Sequence, residues 1–261
     1  MNKIVIGSTD RSAKRIEISA AALHIIAMTF MLMDHLWATL LPAQDWLTCI
    51  GRIAFPVFAF MTVEGYFHTH NLKKYMLRLL LFALISEIPF DLALKNFQID
   101  MSSQNVFLTL LFGMMIVTFM KVVDQDWKYL VWPVLVFGYG YMAKFIFHTD
   151  YDWSGVVCIA VMGLMNEPWE KVFRPYTPAV SQMIHVVFAA LGIFVLYYKN
   201  SFEIYGFFAL LPIALYNGRK GYSSKKVQYA FYFFYPVHLI VLFVIAYTCL
   251  LYTSDAADDL I

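Results

Sequence analysis

The fold class follows from the stretch SAAALHIIAMTFMLMDHLWATLLP, residues 19–42. A helix that crosses a bilayer needs about 20 mostly apolar residues, and this stretch supplies them. Further runs of the same kind follow along the chain, joined by short connections that favour antiparallel neighbours. They cover residues 46–67, 75–96, 104–122, 128–148, 153–168, 182–198, 203–217 and 228–250. The sequence therefore predicts an all-α, polytopic membrane helix bundle of about nine transmembrane helices.

The composition excludes an ordinary soluble domain and argues against nucleic acid as a partner. Of the 261 residues, 61% are hydrophobic and 14% are charged, whereas about 25% of a soluble domain is charged. The net charge of +1 provides no basic surface for nucleic acid. Cys49, Cys158 and Cys249 lack the paired spacing of a disulfide framework or a metal site, so we predict neither.

Lysine and arginine are distributed unevenly between the connections, and this imbalance predicts the orientation. With the N-terminus in the cytoplasm, most of them fall on the inner side, and the outer connections carry only Lys95 and Lys199. The positive-inside rule therefore predicts a cytoplasmic N-terminus. An odd number of spans would then place the C-terminus outside.

The chain divides into three predicted segments. Residues 1–18 form a polar, basic segment that we expect in the cytoplasm, and residues 19–248 form a single transmembrane domain. No small-residue cleavage site follows the first apolar run, so we expect the first helix to be retained. The tail, 249–261, begins CLLYTSDAADD, which looks like a translated transposase-type sequencing adapter. We therefore exclude it from functional reasoning.

Ionisable side chains inside the first three apolar runs are the main functional signal. Each costs about 2.5–3.5 kcal/mol at the centre of a spanning helix, so such residues either have a function or pair with one another. Since successive helices run in opposite directions, most of these residues collect in the outer half of the bundle, which predicts a shared polar cavity. The outer residues are Asp34, His35, Arg52, Glu87 and Asp91, and Glu64 lies nearer the cytoplasm.

His35 is a candidate general base, because an imidazole titrates near neutral pH and can take a proton from a hydroxyl or an amine. It shares a helix face with His24, eleven residues earlier. Adjacent residues point about 100° apart on a helix, so Asp34 would face a neighbour such as Arg52. The alternative is that His35 is a hydrogen-bonded structural histidine. His238, in the last run, is a competing candidate for the base.

Arg52 and a pair of carboxylates flank proline residues. Pro56 should kink the helix beside Arg52, which could neutralise a carboxylate, stabilise an oxyanion, or serve only as a counter-ion to Asp34, Glu87 or Asp91. Glu87 and Asp91 share a helix face and could orient a base, hold a cation or share a proton. No histidine or cysteine lies beside them at ligand spacing, so we predict no metal site.

Several motifs together resemble one family. They are Asp34-His35, residues 51–93 (GRIAFPVFAFMTVEGYFHTHNLKKYMLRLLLFALISEIPFDLA), NVFLTLL at 105–111, Asp150-Tyr151 with Gly155, LYNGRKG at 215–221 and FYPVHL at 234–239. Over roughly residues 20–245 the chain resembles the TraX family, named for a conjugal-transfer protein linked to pilin N-acetylation. That family is grouped with transmembrane acyltransferases.

The resemblance implies an acetyltransferase of the bacterial cytoplasmic membrane. Such an enzyme would move an acetyl group from cytosolic acetyl-CoA, as co-substrate, to an acceptor at or beyond the outer face. A pilin N-terminus, an envelope glycan and a small molecule are all possible acceptors. The catalytic candidates are then His35, Asp34, Arg52, Glu87, Asp91 and His238. The candidates for binding the CoA phosphates are Lys73, Lys74, Arg219 and Lys220, although the positive-inside rule also explains all four.

Two other functions stay open at this point. A proton-coupled transporter would use the buried acids and histidines as a proton relay, and repeated broken helices in two halves would indicate it. A non-catalytic membrane component of a conjugation or secretion apparatus would need no cluster of costly charges at one depth. In every case the lipid bilayer is a partner.

Overall fold

The structure, a computed structural model, describes residues 17–100, 102–123, 125–167, 169–173, 175–222 and 224–258. The predicted cytoplasmic segment, 1–18, lies outside the described residues except for its last two. The α-helices are α1 (Ala20–Thr39), α2 (Asp45–Gly51), α3 (Ala54–His68), α4 (Leu72–Leu94), α5 (Val106–Val122), α6 (Gln125–Tyr141), α7 (Asp152–Gly163), α8 (Pro178–Lys199), α9 (Leu210–Ala214) and α10 (Lys225–Asp258). A π-helical segment covers Met142–Ile146, and 3₁₀ segments cover Leu164–Asn166, Trp169–Lys171 and Ser201–Ala209.

The all-helical prediction is confirmed, since these ranges contain no strand and only isolated bridges such as Ile18 with Tyr216. Every predicted apolar run coincides with a helical segment. Among the described residues, five helices are long and apolar enough to cross a membrane, and three shorter apolar helices accompany them. The predicted boundary at residue 248 is not marked in the backbone, because α10 continues to Asp258.

The outer surface of the bundle is apolar, which is the opposite of a soluble protein. Large hydrophobic side chains project outward from several helices, among them Leu84 (69% exposed), Phe137 (75%) and Leu211 (67%). A soluble monomer rarely exposes contiguous apolar surface on this scale. Together with the membrane-length helices, this surface identifies a membrane protein whose outer side chains face lipid.

The second predicted run is broken into two helices, and the break lies just before the expected proline kink. α2 ends at Gly51, and α3 begins at Ala54. Pro56 lies in the first turn of α3, where its missing N–H would otherwise donate to the carbonyl of Arg52, four residues earlier. The proline therefore separates the helices at Arg52, and Gly206 packs against the freed Arg52 carbonyl oxygen, which an added Cβ would approach to 3.5 Å.

The LYNGRKG turn is tied to the start of α1 by backbone hydrogen bonds. The Ala20 N–H donates to the Arg219 carbonyl (2.9 Å), and the Ala21 N–H donates to the Lys220 carbonyl (3.1 Å). Two glycines of the turn have left-handed backbone conformations, with φ of +71° at Gly218 and +69° at Gly221. These contacts hold the turn, and with it the backbone of Lys220, against the N-terminal end of α1.

Candidate functional site

A cavity of about 340 Å³ runs through the bundle between α1, α3, α4, α5 and α10. Its volume is in the range of small-molecule sites, about 300–1,000 Å³. The face of α1 from Ala20 to His35 lines it, and a rise of 1.5 Å per residue makes that face roughly 22 Å long. We call one end the histidine end, lined by Asp34, His35, Asp150, Tyr151 and Tyr235. We call the other the basic end, lined by His24, His68, Arg78, Lys220 and Tyr222.

His35 and His238 form a hydrogen-bonded pair beside the histidine end. His35 Nδ1 lies 2.7 Å from His238 Nε2, and the two rings are parallel to within 2°. His238 Nδ1 lies 2.7 Å from the Phe234 carbonyl oxygen. Both side chains are buried, but only His35 lines the cavity. The sequence left open which histidine meets a substrate, and this geometry favours His35.

The hydrogen bonds also assign the tautomers of this pair. A carbonyl oxygen can only accept, so His238 Nδ1 carries the proton that it donates to Phe234. In the neutral ring His238 Nε2 is then an acceptor, and His35 Nδ1 must donate to it. His35 Nε2 is left with a free lone pair on a residue that lines the cavity. The arrangement therefore prepares His35 to accept a proton from a bound group.

Arg52 is held between two carboxylates from distant parts of the chain. Its Nη2 lies 2.5 Å from Asp34 Oδ1, and its Nη1 lies 3.2 Å from Glu203 Oε1. The Thr48 hydroxyl donates to the same Asp34 oxygen at 2.8 Å. Arg52 does not line the cavity, and its Nη groups are occupied by these acceptors. The pairing with Asp34 agrees with the sequence expectation, whereas a role on an oxyanion would require these bonds to break.

Two local features allow this cluster to form. A Cβ on Gly51 would lie 2.5 Å from the Asp34 Cβ, so only glycine lets α1 and α2 come this close. Glu203, which is 4% exposed, lies in the 3₁₀ segment Ser201–Ala209. Runs of 3₁₀ helix this long are uncommon, and they often mark functional or strained regions. The segment brings Glu203 to the break between α2 and α3.

The loop before α7 closes the histidine end. The Asp150 N–H donates to the Gln104 carbonyl at 2.8 Å, and the Tyr151 ring stacks on Phe55 with centroids 3.7 Å apart. The Asp150 side chain is exposed to the cavity, although the neighbouring protein buries it away from bulk water. This burial raises the pKa of Asp150 to about 6, against the opposing effect of Arg52. Asp150 can therefore change its protonation state near physiological pH.

Tyr235 places a hydroxyl group beside the histidines. Its ring makes edge contacts with His35 (centroids 6.0 Å apart) and His238 (5.7 Å). The hydroxyl oxygen is buried and accepts from the Val106 backbone N–H, and its own O–H has no acceptor within the described part of the chain. Because Tyr235 lines the cavity, this hydroxyl is available to donate to a bound ligand.

Glu87 and Asp91 do not join this cavity, so the prediction of one shared polar cavity is wrong for these two residues, as it is for Arg52. Glu87 Oε2 accepts from the Asn105 side chain (2.5 Å) and backbone N–H (3.2 Å). Asp91 Oδ2 accepts from the Asp100 N–H at 3.0 Å. Both carboxylates brace the connection between α4 and α5. Helical periodicity correctly places them on one face, but that face points at this connection.

The cations predicted to bind CoA phosphates separate into two groups. Lys220 lines the basic end of the cavity, whereas Lys73, Lys74 and Arg219 do not. Lys73 and Lys74 are exposed at the start of α4. Arg78, one turn further along α4, lines the cavity instead. Sequence alone does not separate Arg78 from its neighbours, because every cation on the predicted inner side fits the same orientation rule.

Other residues of the site were also missed by sequence reasoning. Glu203 is the first residue of the predicted span 203–217 and has no role in the sequence-based assignment. An acid directly before an apolar run is the signal that could have marked Glu203 as a site residue. Asp150 and Tyr235 lie inside motifs of the resemblance but carried no assigned role. Among the described residues, including those of this site, no three His, Cys, Asp or Glu side chains come together as metal ligands.

The fold and site define a class of helical membrane protein with a histidine pair at one end of a long internal cavity and unpaired cations at the other. The chain belongs to the TraX protein family, whose profile matches residues 19–246. This match confirms the resemblance inferred from the motifs. The chain is also 27% identical over 249 residues to the "Probable fimbrial assembly protein FimC, serogroup H1" of Dichelobacter nodosus, covering 88% of this chain and 96% of that protein. No solved structure matches the sequence.

Proposed function

We propose that this protein is an integral membrane acyltransferase that moves an acetyl group from acetyl-CoA to an acceptor hydroxyl or amine. The observation that carries the proposal is the free acceptor nitrogen of His35 at one end of a long cavity whose other end is basic. A long, narrow thioester with a phosphate-bearing head fits a cavity of this form. The TraX family match and its grouping with acyltransferases add support.

The reaction follows from these groups. His35 Nε2 takes the proton from the acceptor O–H or N–H, and the acceptor oxygen or nitrogen attacks the thioester carbonyl carbon. The carbonyl oxygen becomes an oxyanion in the tetrahedral intermediate. When the carbonyl re-forms, the C–S bond breaks and the thiolate leaves as CoA. The proton held by His35 passes to the departing sulfur, so the base returns to its neutral form.

The surrounding side chains have supporting roles in this scheme. His238 fixes the tautomer of His35 through the 2.7 Å hydrogen bond, and it stabilises the imidazolium that forms. The Tyr235 hydroxyl donates to the oxyanion, a task that Arg52 cannot perform while it is paired with Asp34 and Glu203. Arg52 and Asp34 instead hold α1 and α2 together at the site. Glu87 and Asp91 support the bundle from outside the cavity.

The proposal includes the membrane arrangement. Nine spans with the N-terminus in the cytoplasm put the basic end of the cavity on the cytosolic side of a bacterial cytoplasmic membrane. The histidine end then lies in the outer half. The donor would enter from the cytosol, and the acceptor would approach from the other side. Accordingly, acetyl transfer would occur across the bilayer within one cavity.

The relative from Dichelobacter nodosus is named as a probable fimbrial assembly protein. We propose that this chain likewise works with a surface-fibre or conjugation system, and that its acceptor is a component of it. A pilin N-terminal amine and an envelope glycan are the two acceptor classes that suit a site in the outer half.

The test is acetyl transfer by the purified protein in nanodiscs, with labelled acetyl-CoA and with pilin-like peptide amines or envelope glycans as acceptors. His35→Gln should lower the rate about 10²–10⁴-fold, the usual contribution of general base catalysis. His238→Gln should reduce it less, because the base itself is still present. His70→Gln is the matched control, since His70 is exposed and lies outside the cavity.

Two results would overturn the proposal. One is a folded preparation that neither releases CoA nor transfers label with any acceptor tested. The other is a His35→Gln variant that keeps the wild-type rate.

A proton-coupled transporter is the second candidate, because titratable side chains line the cavity from one end to the other. They are His24, Asp34, His35, Glu64, His68 and Asp150. A transporter would acidify or alkalise the lumen of proteoliposomes when substrate is added, without any acetyl-CoA. An acyltransferase would show no such pH change and would consume the thioester.

A further inference from the structure

We propose that Arg78 and Lys220 form an anion subsite that binds a phosphate group inside the basic end of the cavity. The inference rests on the proposed acyl transfer insofar as the phosphate is that of acetyl-CoA. The other source of the same chemistry is the phosphate of a membrane lipid. Arg78 has no place in the sequence-based assignment, which gave the CoA phosphates to Lys73, Lys74, Arg219 and Lys220.

Arg78 faces the cavity without a counter-ion. Its guanidinium lies 5.9 Å from the ring centroid of Tyr75 and 5.7 Å from that of Tyr232. Its Nε is buried and has no hydrogen-bond partner among the residues that the structure describes. None of those residues forms a salt bridge with it. The Tyr232 hydroxyl oxygen accepts a hydrogen bond from the guanidinium, and the aromatic rings hold the group in place. Neither the hydroxyl nor the rings supply a negative charge, so a bound anion could still provide the counter-charge.

Three other cations of the bundle are paired with carboxylates, in contrast to Arg78. Arg52 contacts Asp34 and Glu203, as described above. Lys128 Nζ lies 2.5 Å from Glu167 Oε2, and Lys199 Nζ lies 2.5 Å from Asp152 Oδ2. An unpaired charge inside a membrane protein is expensive, so its counter-charge is expected to come from a ligand.

The carboxylate that lines the same part of the cavity is already engaged elsewhere. Glu64 accepts a hydrogen bond from the Tyr216 hydroxyl, and its Oε2 lies 3.5 Å from His68 Nδ1. Among the described residues that line the basic end of the cavity, none therefore supplies Arg78 with a counter-charge.

The second cation comes from a different element, and its backbone is fixed in position while its side chain is exposed. Lys220 belongs to the turn that is bonded to Ala20 and Ala21 at the start of α1. A Cβ on Gly221 would collide with the Ser19 side chain, so the close packing of this turn depends on glycine. Two cations from separate elements thus line one space. A single carboxylate would satisfy only one of them, whereas a phosphomonoester or pyrophosphate carries enough charge and oxygen atoms for both.

The experiment compares two donors, acetyl-CoA and acetyl-pantetheine, which lacks the phosphates. In nanodiscs, Arg78→Gln should raise KM for acetyl-CoA about 10–100-fold, the effect of losing one charge-assisted contact. It should leave KM for acetyl-pantetheine unchanged. Arg78→Lys should fall between, because a lysine keeps the charge but loses the two-pronged geometry. Lys74→Gln is the matched control, a cation of the same helix outside the cavity, and should behave as wild type.

Two binding measurements show whether the phosphate comes from CoA or from a lipid. They also distinguish failure of the subsite from failure of the proposed acyl transfer. Inorganic pyrophosphate should raise the melting temperature of the wild type but not of Arg78→Gln. If this difference appears in a preparation that shows no turnover with any acceptor, the acyl-transfer proposal is wrong while the subsite stands. If Arg78→Gln instead loses co-purified phospholipid with KM for acetyl-CoA unchanged, the phosphate belongs to a lipid. The subsite is refuted if a folded Arg78→Gln matches Lys74→Gln in KM, pyrophosphate binding and lipid content.

Discussion

The two ends of the cavity differ in whether their cations are paired with carboxylates. At the histidine end, Arg52 is neutralised by Asp34 and Glu203 within hydrogen-bond distance. At the basic end, Arg78 and Lys220 have no carboxylate partner among the described residues. The first arrangement is complete without a ligand and holds helices in place. The second is complete only when an anion is bound, so the two ends should respond differently to mutation.

The largest effect is expected from breaking the paired end. Arg52→Gln leaves the partly buried Asp34 and the buried Glu203 without a cation. Breaking a fully buried pair costs about 3–5 kcal/mol, which is an upper bound for this one. We expect a large fall in melting temperature or a loss of folded protein in nanodiscs. The double variant Arg52→Gln with Asp34→Asn should recover part of that loss, because one unpaired charge is removed as well. A stable, folded Arg52→Gln variant that has lost only activity would instead place Arg52 on the substrate.

The next largest effect is expected on the reaction rate, with little change in stability. Tyr235→Phe removes one oxygen atom whose O–H has no acceptor in the described structure and which accepts only from the Val106 N–H, so the melting temperature should change little. If the hydroxyl donates to the oxyanion, kcat should fall about 10²-fold while KM is unchanged. Tyr222→Phe, at the basic end, is the matched control for kcat. An unchanged kcat in Tyr235→Phe would mean that the oxyanion is stabilised elsewhere.

Much of the architecture could be predicted from the sequence because it depends on local pattern. The apolar runs gave the helix positions, and the cost of buried charge pointed to Asp34, His35 and Arg52 as one region. The proline in the second run predicted the break. Its position at Arg52 instead of at Pro56 follows from the carbonyl four residues before proline, which loses its donor.

The remaining features depend on which helices pack together, and periodicity cannot supply that. Glu203 reaches Arg52 across 151 positions of the chain, and His35 reaches His238 across 203. Glu87 and Asp91 were assigned to the cavity because their depth matched, but depth does not say which way a helix face points. Arg78 could not be distinguished by sequence from the other cations on the predicted inner side, because the positive-inside rule explains all of them.

A smaller effect at the histidine end should appear as a dependence of stability on pH. The pKa of Asp150 is about 6 in the fold and 3.8 ordinarily, so the unfolded chain releases this proton first as the pH rises. The contribution of Asp150 to stability therefore declines between about pH 4 and pH 6 and stays low above that. Asp150→Asn cannot ionise and should lack this decline. Its melting temperature should exceed that of wild type above about pH 6 and match it near pH 4.

That comparison isolates Asp150, because the other acids of the cluster, Asp34 and Glu203, are present in both proteins. Equal pH profiles for the two proteins would contradict the raised pKa.

The smallest effect is expected outside the cavity, at the cations that the sequence assigned to CoA. The double variant Lys73→Gln with Lys74→Gln removes two exposed charges at the start of α4, and exposed charges contribute little to stability. We expect KM for acetyl-CoA to change less than twofold, about the scatter for a surface contact. Because the positive-inside rule also acts on these residues, membrane insertion must be checked by protease protection before the kinetics are compared. An increase in KM as large as that of Arg78→Gln, with insertion intact, would place the phosphates on the rim and remove the distinction between cavity and surface cations.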